Sequence, residues 1–260
     1  MALWTPANTS TSLWLDPSDT SKLFDATSGG SLPSVGSAVL RIEDKSGGAV
    51  HFTEATNAPT RQSGPDSQSV LRFDGINDWL SATLSLSQPY TVFLAFKLNG
   101  SPTSEADVFS SNSPLVVLRP NWSGSGNRLQ YAGGSSLTGA ALTSGSEYVW
   151  GTVFNGSSSY NSLNGTVSST AAAGSGALGT LRLGRQGNGS AYLNCDIYEV
   201  VVKSGAVSTD DREKLEGYMA HKWNLESLLP GGHTYKSSAP TTGGSPVPIF
   251  RNHYQQQGIC

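Results

Sequence analysis

From Leu181 to Leu225 the chain reads LRLGRQGNGSAYLNCDIYEVVVKSGAVSTDDREKLEGYMAHKWNL. That is strand, turn, long strand, turn and then a single amphipathic helix, in a sequence otherwise patterned for strands. Ser208 is placed to cap the helix over 208–224, with Asp210 and Asp211 near its positive N-terminal end. Leu215, Tyr218, Met219 and Trp223 follow at i, i+3, i+4 and i+8, one apolar stripe for docking on a sheet, with Trp4 and Trp14 as neighbours. Gly217 weakens the helix but permits close packing.

The strands upstream are apolar on both faces. In Thr91–Leu98, Val92, Leu94, Phe96 and Leu98 share one face and Phe93 and Ala95 the other, as expected of a strand packed on each side. Glu147–Phe154 behaves alike, with Tyr148, Trp150 and Phe154 on one face. Tyr192–Val202 is read with Ile197 and Val201 on one side and Tyr198, Val200 and Val202 on the other. Leu115–Arg119 and Arg128–Ala132 are shorter candidates. Asn99-Gly100, Asn155-Gly156, Asn164-Gly165 and Asn188-Gly189 suit the positive φ values of type I′ hairpin turns. The 30 glycines reinforce the picture of many short strands and turns. The expected fold is all-β, a two-sheet antiparallel jelly-roll sandwich with one C-terminal helix and an extended C-terminal tail.

Charge excludes one broad class. Lys and Arg total 16 against 19 for Asp and Glu, a net charge of −3, with no surplus to neutralise phosphates. Nucleic-acid binding is therefore not expected. The longest apolar runs, such as Val200–Val202, are too short to span a bilayer. MALWTPANTS lacks the basic and apolar regions of a secretory signal, so synthesis in a cytoplasm is expected. Cys195 and Cys260 allow one bridge at most, and free thiols are the default there. The sequons at Asn8, Asn121, Asn155, Asn164 and Asn188 read as a by-product of Asn-rich turns.

After Tyr235 the composition changes. Residues 1–236 are assigned to the sandwich, 237–248 to a linker without periodicity, and 249–260 to a tail. Ile249, Phe250 and Tyr254 give that tail apolar anchors for docking on a neighbouring surface as an assembly element, the alternative being a frayed end.

Four segments also resemble those of concanavalin A-like, laminin-G-type jelly-roll domains of the phage and bacterial kind. VLRFDGINDWLSA (Val70–Ala82) is similar to their FDG-x-x-D-aromatic motif, and SLWLDPSDTSKLF (Ser12–Phe24) to their N-terminal segment. IEDKSGGAVHFTEATNAPTRQ (Ile42–Gln62) resembles their W-x-D-K-S-G-N region, with Ile42 in place of the usual Trp. The closing strand, helix and Leu-Pro-x-x-His-x-Tyr tail are also similar. The resemblance covers most of 12–236 and implies the fold more than the ligand. It implies a virion protein: a decoration, fibre or tail-associated subunit.

Catalytic patterns are sparse. Glycoside hydrolysis needs two carboxylates facing one cleft, roughly 5–10 Å apart. Asp196 and Glu199 have odd spacing and are read as pointing to opposite faces; Glu43 and Asp44 diverge likewise. His51, His221, His233 and His253 have no metal-ligand spacing, and no Gly-x-Ser-x-Gly elbow or phosphate-cradling loop occurs. No enzyme activity is expected.

Calcium is the one cofactor the resemblance implies, since many such domains carry an ion near the rim. Asp74, Asn77 and Asp78 are its candidate ligands, against the reading adopted here of ordinary turn chemistry. For sugar binding, Trp122 in NWSGSGN is the leading platform, with Tyr131 and Tyr160 behind it; a loop anchor is the alternative for Trp122. The expected function is a non-enzymatic virion structural protein. Its expected partners are other virion proteins, itself (a homo-oligomer, trimers being common among such subunits) and a host-surface glycan. A calcium-assisted carbohydrate-binding module is the alternative, and a glycoside hydrolase the third reading.

Overall fold

The computed structural model describes residues 2–102, 105–112, 114–122, 127–187, 189 and 191–243. Ile249, Phe250, Tyr254, His253, Cys260 and Asn188 lie outside the described residues. Among the described residues the strands form two sheets, one of eight strands and one of nine, and every strand pair is antiparallel. The all-β sandwich with one C-terminal helix is what the molecule adopts.

The eight-stranded sheet runs Thr166–Val167, Tyr160–Leu163, Glu147–Phe154, Tyr90–Leu98, Asn194–Ser204, Ser69–Asp74, Thr60–Ser63. Leu13–Leu15 pairs with the far half of Asn194–Ser204, beyond Ser69–Asp74 on the same edge. The nine-stranded sheet runs Ser136–Ala140, Asn127–Ala132, Val116–Trp122, Phe109–Asn112, Leu178–Leu183, Leu80–Leu86, Phe52–Thr53, Arg41–Ile42, Leu23–Phe24. Leu94, Phe96, Trp150, Phe154, Ile197 and Val200 of the first sheet meet Phe109, Leu118, Leu181 and Leu183 of the second in the main core.

A third layer covers the other face of the eight-stranded sheet. The helix Thr209–Lys222 lays Leu215, Tyr218, Met219 and the following Trp223 on Phe93, Ala95, Val149, Val153 and Val201, with Trp4 and Trp14 in the same cluster. Both tryptophans meet Tyr218 edge-on. Ser208 caps the helix, its Oγ accepting from the Asp211 amide at 3.1 Å. A Cβ on Gly217 would come within 2.4 Å of Tyr235 Cβ, so the glycine lets the closing Leu-Pro-x-x-His-x-Tyr segment seat against the helix.

Three expectations change. Only Asn164-Gly165, of the described Asn-Gly pairs, has positive φ at both residues. Asn155 has φ −149 before a short 3-10 turn, and Asn99 Nδ2 donates to Asp196 Oδ1 at 2.7 Å. The second change is a bulge in Asn194–Ser204: its register against Tyr90–Leu98 shifts between Ile197 and Glu199. Ile197, Val200 and Val202 consequently enter the main core, while Tyr198 and Val201 face the helix. The third concerns the segment read as a linker from 237. Ala239 is fully buried, Trp4 N donates to Pro240 O at 2.9 Å, and Leu3 bridges to Thr241. The packed body thus extends past Lys236 to Thr242, whose amide donates to Ala2 O.

Candidate functional site

The bulge and the end of the helix together make a groove. Along one row of the eight-stranded sheet, Arg72 is registered with Asp196, Asp196 with Lys97, and Lys97 with Glu147. Four adjacent strands therefore present charges alternating + − + − on the helix-side face. Each is a charged residue in a strand whose neighbours are buried, which is what register must bring together.

The helix covers this face only as far as Trp223. Its chain then turns at Asn224, φ +59, a left-handed position that asparagine tolerates better than most residues. The opposite wall is the turn from Ser63 to Pro65, tied to the helix end by Gln68 Nε2 donating to Lys222 O at 2.8 Å. Between them lies an open cavity of about 320 Å³, lined by Arg72, Lys97, Glu147, Asp196, Tyr198 and Trp223 among others.

Its groups are held in place. Arg72 donates to Asp196 through Nε and Nη2, both at 2.7 Å, a two-pronged contact that fixes the carboxylate. The Tyr198 hydroxyl donates to Glu147 Oε1 at 2.7 Å, and its ring stacks on Trp223 with centroids 5.1 Å apart. Burial and the charges of Glu147 and Asp196 push the Tyr198 phenol well above its usual range. Lys97 enters no ion pair among the described residues. The groove thus offers a cation and two fixed carboxylates over the buried Tyr198 and Trp223 rings, a set that recognises hydroxyls.

Behind the groove is a buried ionic network. Glu199 accepts from Trp14 Nε1 at 2.6 Å, Tyr218 OH at 2.7 Å and Trp223 Nε1 at 2.8 Å, and pairs with Lys222 Nζ at 2.9 Å. Lys222 also pairs with Asp16 at 2.6 Å, and Asp16 with Lys45 at 2.9 Å. Burial alone would raise the Asp16 pKa, but Lys222 and Lys45 outweigh it and hold the carboxyl well below its usual range. The odd spacing of Asp196 and Glu199 does not separate them after all: the bulge turns both to the helix-side face. Glu199 is nonetheless fully buried and has its oxygens occupied, so it does not open on the cavity.

The sequence-predicted site residues scatter. Trp122, 38% exposed, ends a strand of the nine-stranded sheet opposite Asn127. Tyr131 is four residues further along that partner strand, about 14 Å at 3.4 Å per residue. Tyr160 sits in the other sheet, half-buried against the helix layer. These three rings do not converge.

Asp74, Asn77 and Asp78 are adjacent, but their oxygens face the chain. Asp74 Oδ1 accepts the amides of Ile76 (2.8 Å), Asn77 (3.1 Å) and Asp78 (3.3 Å); Asp78 Oδ2 accepts that of Asp74 (3.0 Å). The Asn77 amide group pairs with Asn57. This is turn chemistry, and the donors do not fit a calcium cage. Among the described residues no group of three His, Cys, Asp or Glu is placed to hold a metal ion.

No protein-family model matches the chain, and no curated protein matches it in sequence. Solved structures do match in shape. Domain 4 of an extracellular GH43 arabinanase from Geobacillus stearothermophilus, in complex with arabinotriose, is 17% identical with a TM-score of 0.55, over 67% of this chain and 92% of that one. The receptor binding domain of botulinum neurotoxin D is 13% identical with a TM-score of 0.55, over 82% of this chain and 53% of that one. A sialidase from Trypanosoma rangeli, in complex with sialic acid, is 10% identical with a TM-score of 0.54, over 82% of this chain and 37% of that one. The chain thus spans about half of the toxin domain and just over a third of the sialidase, and what it shares with all three is the β-sandwich fold.

Proposed function

We propose that this chain is a non-catalytic, lectin-like module that binds glycans in the groove of Arg72, Lys97, Glu147 and Asp196. The observation that carries the reading is the alternating charge row that lines the cavity where the helix ends, beside the stacked Tyr198 and Trp223 rings. Fixed polar groups around a cavity of about 320 Å³ suit a saccharide of one or two residues. Ligands bound by similarly folded proteins, arabinotriose for one and sialic acid for another, are consistent with it.

One observation favours a second reading, hydrolysis: Glu147 and Asp196 share the groove. They stand two strands apart, about 10 Å between backbones, at the wide limit for an inverting pair. Asp196 is occupied by Arg72 and Asn99, and Glu147 already accepts from Tyr198, so neither has a free proton-transfer geometry. Binding without turnover is the reading preferred here.

The setting we propose is a virion, in which the module contacts a host-surface glycan while the chain assembles with itself and other virion proteins. That part rests on the sequence resemblance alone. A glycan array tests the module: retained glycans should bind at least tenfold more weakly to Lys97→Gln and Asp196→Asn, about 1.4 kcal/mol. Binding that survives both changes would move the site elsewhere, and reducing ends released over time would restore the hydrolase.

A further inference from the structure

The outer face of the nine-stranded sheet carries a second cluster that neither the core nor the groove uses. In Leu80–Leu86, Leu80, Ala82, Leu84 and Leu86 turn inward, leaving Ser81, Thr83 and Ser85 outside. Arg182 lies opposite Ser81, and Thr180 opposite Thr83, on the neighbouring strand. Trp79 precedes this row and is half-exposed, as are Arg182, Arg185 and Tyr192.

Two guanidinium groups gather on the one indole. Arg185 stands 4.8 Å from the Trp79 ring centroid and Arg182 5.9 Å, and Arg185 is also 5.5 Å from the Tyr192 ring. Neither arginine enters an ion pair among the described residues. Arg185 Nε donates to Gly189 O at 2.9 Å, which leaves its terminal nitrogens for other partners. Arg182 Nε is buried without a hydrogen-bond partner among the described residues, an arrangement that calls for an acceptor. Burial and the charge of Arg185 both depress the Arg182 pKa, so an anion between the two would relieve a real repulsion.

We propose that Trp79, Arg182, Arg185 and Tyr192 form a second binding site, specific for a carboxylated sugar residue. The planar carboxylate matches the guanidinium fork in two-pronged contact. The exposed parts of the two aromatic rings take the apolar side of the sugar. Ser81, Thr83 and Thr180 supply hydroxyls along the sheet for its remaining groups. Two rings beside a row of hydroxyls suit a sugar better than an acidic peptide. The site is separate from the groove and does not depend on it.

The test is titration calorimetry on the full chain with sialyllactose and trigalacturonate, set against lactose and galactotriose, with lactose sulfate as the second anion. At least one carboxylated probe should bind tenfold or more tightly than its neutral counterpart, and weaken as salt rises from 50 to 500 mM. Trp79→Ala and Arg185→Gln should each lower that affinity at least tenfold, while Lys97→Gln in the groove leaves it unchanged. Equal affinity for charged and neutral probes, or indifference to both substitutions, would overturn the proposal. Tighter binding of lactose sulfate would overturn the assignment of a carboxylate. Loss on Lys97→Gln alone would return the ligand to the groove.

Discussion

The helix-covered face of the eight-stranded sheet and the part of the nine-stranded sheet formed by Leu80–Leu86 and Leu178–Leu183 treat their charges in opposite ways. On the eight-stranded sheet the helix layer covers the surface, and the charges beneath it are partnered: Glu199 has three hydrogen-bond donors and Lys222, and Asp16 has Lys222 and Lys45. On the nine-stranded sheet, among the described residues, no helix covers the Leu80–Leu86 and Leu178–Leu183 strands. There Arg182 and Arg185 find aromatic rings but no carboxylate among the described residues. A charge under a lid must be matched by the protein itself, because water cannot reach it. A charge on an open face is free to be matched by a ligand. The groove lies at the boundary, where the lid ends and the matched row Arg72–Asp196 gives way to Lys97.

This contrast can be broken most forcefully at Glu199. Glu199→Ala removes one of the two carboxylates paired with Lys222 and leaves three buried donors unpaired, and should destabilise the chain by about 3–5 kcal/mol in urea unfolding. A loss below about 1 kcal/mol would mean that water enters beneath the helix. Next in size is Gly151→Ala, whose new Cβ would stand 2.4 Å from the Phe93 ring under the same lid. Overpacking of this kind should cost about 1–3 kcal/mol, read as a drop in the urea midpoint at unchanged slope.

The rim of the open sheet responds to pH. Burial, opposed by the hydrogen bond from the Asp74 amide and aided by the Asp74 charge, raises the Asp78 pKa to about 6 from the ordinary 3.8. The folded state then binds that proton more tightly than the unfolded one. Its contribution is complete below about pH 4 and is lost as pH rises to about 6. Asp78→Asn should flatten the stability profile across that window, and an unchanged slope would contradict the assignment. Asp16 has the opposite sign: its stabilisation is full above the unfolded value near 4 and fades as pH falls toward its depressed folded value. The smallest effect belongs to the open face itself, where Arg182→Gln should change stability by no more than about 0.5 kcal/mol. A loss comparable to that at Glu199 would show that the two faces are built alike.

Much of the fold was legible because burial writes itself into apolar patterning. Glu147–Phe154 appears with the bounds read from sequence, and the helix stripe of Leu215, Tyr218, Met219 and Trp223 docks with Trp4 and Trp14 as expected. The bulge at Ile197 was not legible, because strict alternation has no place for an inserted residue. That single insertion reverses the faces of Glu199 and Val200 relative to Ile197. The groove was illegible for a related reason. Arg72, Lys97, Glu147 and Asp196 are far apart in sequence, and only strand register aligns them. Trp79 was passed over because its neighbours Asp74 and Asp78 form a turn that accounts for the motif without it. Trp122 stood out as an aromatic in a polar stretch, yet composition could not say that Tyr131 and Tyr160 lie away from it.

The most direct test of the account is NMR chemical-shift mapping of the isotope-labelled chain with a glycan retained on the array, alongside a time course for released reducing ends. The account predicts saturable shifts at Lys97, Asp196 and Tyr198, their loss in Lys97→Gln, and no product. Shifts confined to other surfaces, or sugar released in proportion to time, would contradict it.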